Sequence, residues 1–75
     1  MSDDEPLRLF TIWRCQVRSK DRYIVVEHFV VIGALLPGWK KTAPTLAVAR
    51  RLVPPGRVRI PRSPVDDRLV VETWI

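Results

Sequence analysis

Cysteine, histidine and glycine are all scarce in this chain: one, one and three residues respectively out of 75. A lone Cys15 cannot close an internal disulfide, and with a single histidine, His28, thirteen positions away, no zinc-ligand spacing exists. The glycines are scattered, which leaves no glycine-rich loop to cradle a phosphate. Long apolar runs are missing too: the longest, Phe29 to Leu36, has eight residues against the roughly 18 or more that a membrane-spanning helix needs. The opening Met1-Ser2-Asp3-Asp4-Glu5 lacks the basic and apolar regions of a signal peptide, and the expected compartment is the cytoplasm.

What the chain does have is apolar side chains, 47% of the total, and seven prolines that set turns where glycine is rare. At this length it reads as one domain: a flexible acidic leader over residues 1–6, then a single unit over 7–75. The densest stretch is Tyr23-Ile24-Val25-Val26-Glu27-His28-Phe29-Val30-Val31-Ile32, of which eight residues are apolar and most are β-branched or aromatic. Branching at Cβ suits a pleated surface, and a run without polar alternation implies cover on both faces, so this stretch is expected to be the central strand. Leu7 to Arg18 alternates instead. Leu7, Leu9, Trp13, Cys15 and Val17 share a face with Thr11, and Arg8, Arg14, Gln16 and Arg18 share the other with Phe10 and Ile12. The first set reads as the core side. Ser19-Lys20-Asp21-Arg22 is short enough to join the two strands as an antiparallel hairpin.

Beyond Ile32, Pro37-Gly38 signals a turn, with Gly33 a bulge or strand end. Thr42 is positioned to cap a helix that takes Pro44 in its first turn and runs to about Val53. Its apolar arc is Leu46, Val48, Ala49, Leu52 and Val53, which leaves Arg50 and Arg51 outside. Pro54-Pro55-Gly56 stops it. Arg57-Val58-Arg59-Ile60 and Arg68 to Ile75 then read as two further strands. The expected fold is α+β: a single four-stranded antiparallel sheet in ββαββ order with one helix packed on one face. Its expected core is Leu9, Trp13, Val17, Val26, Val30, Leu46, Ala49, Leu52, Val58, Ile60, Leu69 and Val71. Phe10 and Ile12, on the far face, suggest a second buried layer or a homodimer interface.

The formal charge is +5, and the middle of the chain carries it: residues 23–62 hold one acid against seven bases. Arginine outnumbers lysine ten to three, and its planar fork suits phosphates, carboxylates and aromatic faces. Arg14, Arg18, Lys40, Lys41, Arg50, Arg51, Arg57, Arg59 and Arg62 are therefore the candidate partner-binding residues, for an acidic protein surface or for nucleic acid. Interleaved arginines and aromatics on a sheet also suit single-stranded nucleic acid, although no aromatic–glycine signature of an RNA-recognition strand is present. Cys15 and His28 lie on hairpin strands where a nucleophile could meet a base, but an inert thiol and a satisfied histidine read more simply. Asp66-Asp67 with Glu72 reads as a solvated turn that caps nothing, rather than a cation site. No cofactor, metal or enzymatic activity is expected.

With the hairpin, Thr42-Ala43-Pro44-Thr45-Leu46-Ala47-Val48-Ala49-Arg50-Arg51, Gly56-Arg57-Val58-Arg59-Ile60 and Leu69-Val70-Val71 in this order, the chain resembles the very small stand-alone phage proteins that inhibit host defences. These include anti-CRISPR proteins directed at type I surveillance complexes. The resemblance implies a non-enzymatic inhibitor that binds a CRISPR-associated subunit and blocks its nucleic-acid target binding. The competing expectation is a direct nucleic-acid-binding module that uses the arginine-rich surface.

Overall fold

The computed structural model describes residues 7–75, and the acidic leader expected over residues 1–6 lies outside them. Six elements follow in order: β1 (Leu7–Val17), β2 (Lys20–Val31), β3 (Ala34–Ala43), α1 (Leu46–Leu52), β4 (Arg59–Ile60) and β5 (Val70–Trp74). The fold is α+β with one antiparallel sheet and one helix, but the sheet has five strands, in the order β3-β2-β1-β5-β4, not four. The central strand is β1, and β2 is its paired neighbour.

The additional strand is β3. Pro37-Gly38, read from sequence as a turn, lies inside it, because β3 is an edge strand where a missing proline amide costs no ladder bond on the open side. The actual reversal is Ile32-Gly33, with Gly33 at φ 77°, a conformation that favours glycine. Between the pairs Val26↔Lys40 and His28↔Pro37, two residues of β3, Gly38 and Trp39, oppose Glu27 alone, so a β-bulge forms there. A Cβ on Gly38 would lie 2.9 Å from Glu27 Cγ and 3.0 Å from its Cβ; glycine is what lets the strand close over that side chain. The bulge also resets the alternation, placing Trp39 and Lys41 on the same side as Leu36 while Pro37 and Lys40 point the other way.

The β1–β2 hairpin closes more tightly than its polar sequence suggests. Val17 pairs with Lys20, so the turn is Arg18-Ser19, both left-handed at φ 53° and 64°, as a type I′ turn requires. Arg18 is thus a turn residue, not a member of the strand face. The helix starts later than expected. Thr45, not Thr42, is its N-cap, accepting the Val48 amide at 3.2 Å, because Thr42 and Pro44 are held before it by β3 and its exit. The last two strands are shorter than expected, although backbone bonds between Val58 and Ile75, 2.8 Å in each direction, extend their pairing.

The core lies on the opposite face of β1 from the one expected. Phe10, Ile12, Val25, Ala43, Ala49 and Val53 form the buried cluster under α1, with Tyr23, Trp39, Leu46, Val48, Leu52, Val71 and Trp74 packed against it. Both faces of β1 are apolar between residues 9 and 13, so alternation alone does not say which one the helix covers. The crossover from β3 decides it. Leu9 and Val26 are buried on the helix-free face, but Val17, Val30, Val58 and Leu69, expected in the core, are exposed, and Trp13 is only half-buried. Among the described residues, no helix is long and apolar enough to cross a membrane.

Candidate functional site

On the helix-bearing side, beside α1, five strands bring cations and aromatic rings together. Phe10 from β1 and Trp39 from β3 stack at a centroid distance of 5.6 Å, tilted by 40°. The Arg57 guanidinium lies 5.0 Å from the Phe10 ring centroid and Lys41 Nζ lies 4.7 Å from that of Trp39. Farther along the face, Arg8 lies 5.9 Å from the Phe29 ring and 3.5 Å from Glu27 Oε2. Lys41 and Arg57 each rest over a ring's negative face, which fixes a long side chain in place without neutralising it, whereas Arg8 is also paired with the Glu27 carboxylate. The bulge at Gly38-Trp39 makes this possible, since without it Trp39 and Lys41 would point away.

Next to this row is Glu72 on β5, whose side chain is 2% exposed. Arg50 Nε donates to both its oxygens at 3.1 and 2.8 Å, Arg50 Nη2 donates to Oε2, and Trp74 Nε1 donates to Oε1 at 3.2 Å. Arg59 Nη1 is 3.6 Å from Oε2. Burial pushes the Glu72 carboxyl up, but the hydrogen bonds from Arg50 and Trp74 and the charges of Arg50 and Arg59 together hold it below the usual carboxylate range. One carboxylate thus serves two arginines whose side chains remain about half exposed, 47% for Arg50 and 55% for Arg59. With Arg57 and Lys41, the side presents an ordered cationic surface with outward N–H groups, suited to carboxylates or phosphates.

The nine sequence-predicted residues do not form one patch. Lys41, Arg50, Arg57 and Arg59 are drawn together here, and Arg51 lies exposed on the same helix. Lys40 points to the helix-free face, Arg14 lies toward the β1–β2 end, Arg18 is in the turn at that end, and Arg62 follows β4. Sequence reasoning missed Trp39 and Glu72 as organisers of the site. Trp39 carried a signal in the Pro37-Gly38 pair, which marks a bulge as well as a turn. Glu72 carried one in being a lone acid inside an apolar strand.

Cys15 and His28 share the helix-free face but not a site. His28 is opposite Leu9 in the register, six residues along β1 from Cys15, which is roughly 20 Å at strand rise. His28 Nε2 is hydrogen-bonded to Thr11 Oγ1 at 2.8 Å, and Trp13 Nε1 donates to the same hydroxyl at 2.6 Å. Asp67 does cap, contrary to the sequence reading: its Oδ1 accepts the Leu69 amide at 2.9 Å and starts the turn into β5. Among the described residues, no three histidine, cysteine or acidic side chains gather as a metal site would need. No protein family, curated protein or solved structure matches this chain.

Proposed function

We propose that the protein acts by binding, without chemistry of its own, and that the surface formed by Lys41, Arg50, Arg51, Arg57 and Arg59 docks an acidic protein partner. The observation that carries this reading is the fixing of four of those cations by Phe10, Trp39 and Glu72 before any partner arrives. Preordered forks lose little entropy on meeting carboxylates, which favours specific docking over loose attraction. The resemblance, which lies in the order of the elements, suggests the partner class, a subunit of a host defence complex whose nucleic-acid target binding is blocked.

The alternative, direct binding of single-stranded nucleic acid, needs aromatic faces free for bases to stack on. Here Phe10 is fully buried beneath Arg57, and Trp39 carries Lys41. Neither of these two stacked rings is free for a base, so what Lys41 and Arg57 offer a nucleic acid here is phosphate contacts. A pull-down from host lysate, with and without nuclease, separates the two readings. The proposal expects one protein complex retained after nuclease and lost with Arg57→Gln/Lys41→Gln. Loss of every partner after nuclease, with binding to random DNA or RNA that falls steeply with salt, would overturn it. Arg59→Glu is a poor probe, because it sets a second carboxylate against buried Glu72.

A further inference from the structure

A groove of about 470 Å³ crosses the helix-free face, walled chiefly by Trp13, Ile24, Val26, Leu35 and Leu69. That volume is ample for a small molecule. From His28 to Cys15 the groove follows about 20 Å of strand, which gives it a mean cross-section on the order of 20 Å². A helix, about 10–12 Å across with its side chains, is too wide for it, and so is an extended peptide, which occupies about 4.8 Å by about 10 Å. A single unbranched hydrocarbon chain matches it. The polar groups at the groove are donors. Thr11 is fully buried and its Oγ1 accepts Trp13 Nε1 at 2.6 Å, so the hydroxyl's own proton goes to His28 Nε2 at 2.8 Å. The ring proton of the neutral imidazole therefore sits on Nδ1, which makes no hydrogen bond among the described residues. Lys40 supplies an ammonium beside this ring, and no carboxylate lines the groove.

We propose that this groove binds a medium-chain fatty acid, with the alkyl chain laid along Trp13, Ile24 and Leu69 and the carboxylate held by Lys40 and the His28 ring N–H. An apolar track that ends on donors alone, one of them cationic, complements a ligand that is apolar along its length and anionic at one end. The bulge at Gly38-Trp39 makes the pairing possible: the same reset that turns Trp39 and Lys41 to the cationic site turns Lys40 to the groove. Length is set by the register. Lys40 is level with Val26 and Thr11, and Cys15 lies four residues farther along β1, so about 13 Å of groove extends beyond the ammonium, the reach of a chain such as decanoate's. The groove shares no residue with the cationic surface on the helix-bearing side, and the two sites stand or fall separately.

Isothermal titration of the full chain with decanoate, kept below its micelle concentration, tests this. The expected result is saturable binding of one molecule per chain, about tenfold tighter than that of decan-1-ol, which lacks the charge. Octanoate should bind about fivefold more weakly than decanoate, since an open groove covers part of each methylene. Lys40→Gln should bring decanoate down to the affinity of the alcohol, while Arg62→Gln, the same loss of charge away from the groove, leaves it unchanged. In proton spectra the ring signals of Trp13 and His28 should move on binding and those of Trp39, on the other face, should stay. A cooperative melt establishes that each variant folds; if Lys40→Gln does not, decanoate against decan-1-ol on the natural chain, with Trp13 as reporter, decides alone. The absence of saturable binding overturns the proposal, as does equal affinity for acid and alcohol, or equal loss with Lys40→Gln and Arg62→Gln. Shifts at Trp39 in place of Trp13 also overturn it, by putting the acid on the cationic surface.

Discussion

Two buried groups on β5 have opposite fates. Glu72 satisfies its carboxylate through Arg50 and Trp74, whereas its neighbour Thr73, 2% exposed, has a hydroxyl with no hydrogen-bond partner among the described residues. A buried unpaired hydroxyl is a desolvation cost, and valine has the same shape without it, so Thr73→Val should raise stability by about 1 kcal/mol in thermal or urea melts. Glu72 and His28 make stability depend on acid in two separate ranges. The His28 imidazole is held below its ordinary value of 6.5, by burial first and then by the Lys40 charge. The unfolded chain therefore takes the proton first, and stability should fall as pH drops below 6.5 and level off below the folded value. The Glu72 carboxyl is held below 4.5, so its contribution is complete above that pH and is lost as pH falls through the folded value. In a pH series of melting midpoints, His28→Gln should flatten the upper limb only. Glu72→Gln should flatten the acid limb and lower the neutral plateau by about 2 kcal/mol.

At the scale of elements, the β1–β2 hairpin was legible because its strands announce themselves twice, by alternation in one and by a β-branched run in the other. Its turn was not, since Arg18-Ser19 lacks the Asn-Gly chemistry that type I′ geometry favours. That mismatch has a consequence: Arg18→Asn/Ser19→Gly places residues tolerant of φ > 0 where the backbone demands them, and should stabilise the hairpin by about 1 kcal/mol. An unchanged denaturation midpoint would mean that the turn is not type I′. The strand β3 was hidden for a different reason. Proline and glycine at its centre mimic a turn, and only its place at the sheet edge makes them tolerable. The candidate site was half legible on the same grounds. Strand alternation and helix projection found Arg50, Arg57 and Arg59, but the bulge that turns Trp39 and Lys41 toward them depends on Glu27 of the neighbouring strand, a long-range partner that no local pattern reports.

The whole molecule is drawn out, with extents of 47 × 24 × 22 Å, because β1 and β2 are long and a seven-residue helix covers only part of their length. The helix packs over Ile12, Val25 and Ala43, and the cationic site is assembled on this covered part, where Phe10 and Glu72 are fixed. The β2–β3 tip has no such cover: Val31 is 44% exposed, Ile32 fully exposed and Leu36 48% exposed. Local stability follows buried apolar contact, so opening free energies should run from near the global value at the covered part to a small fraction of it at the tip. Amide hydrogen exchange should therefore show residues 31–35 exchanging orders of magnitude faster than residues 11–13 and 24–26. Protection of the tip equal to that of the centre would mean that the helix-bearing part does not dominate local stability, and the site's preorganisation would then need another source.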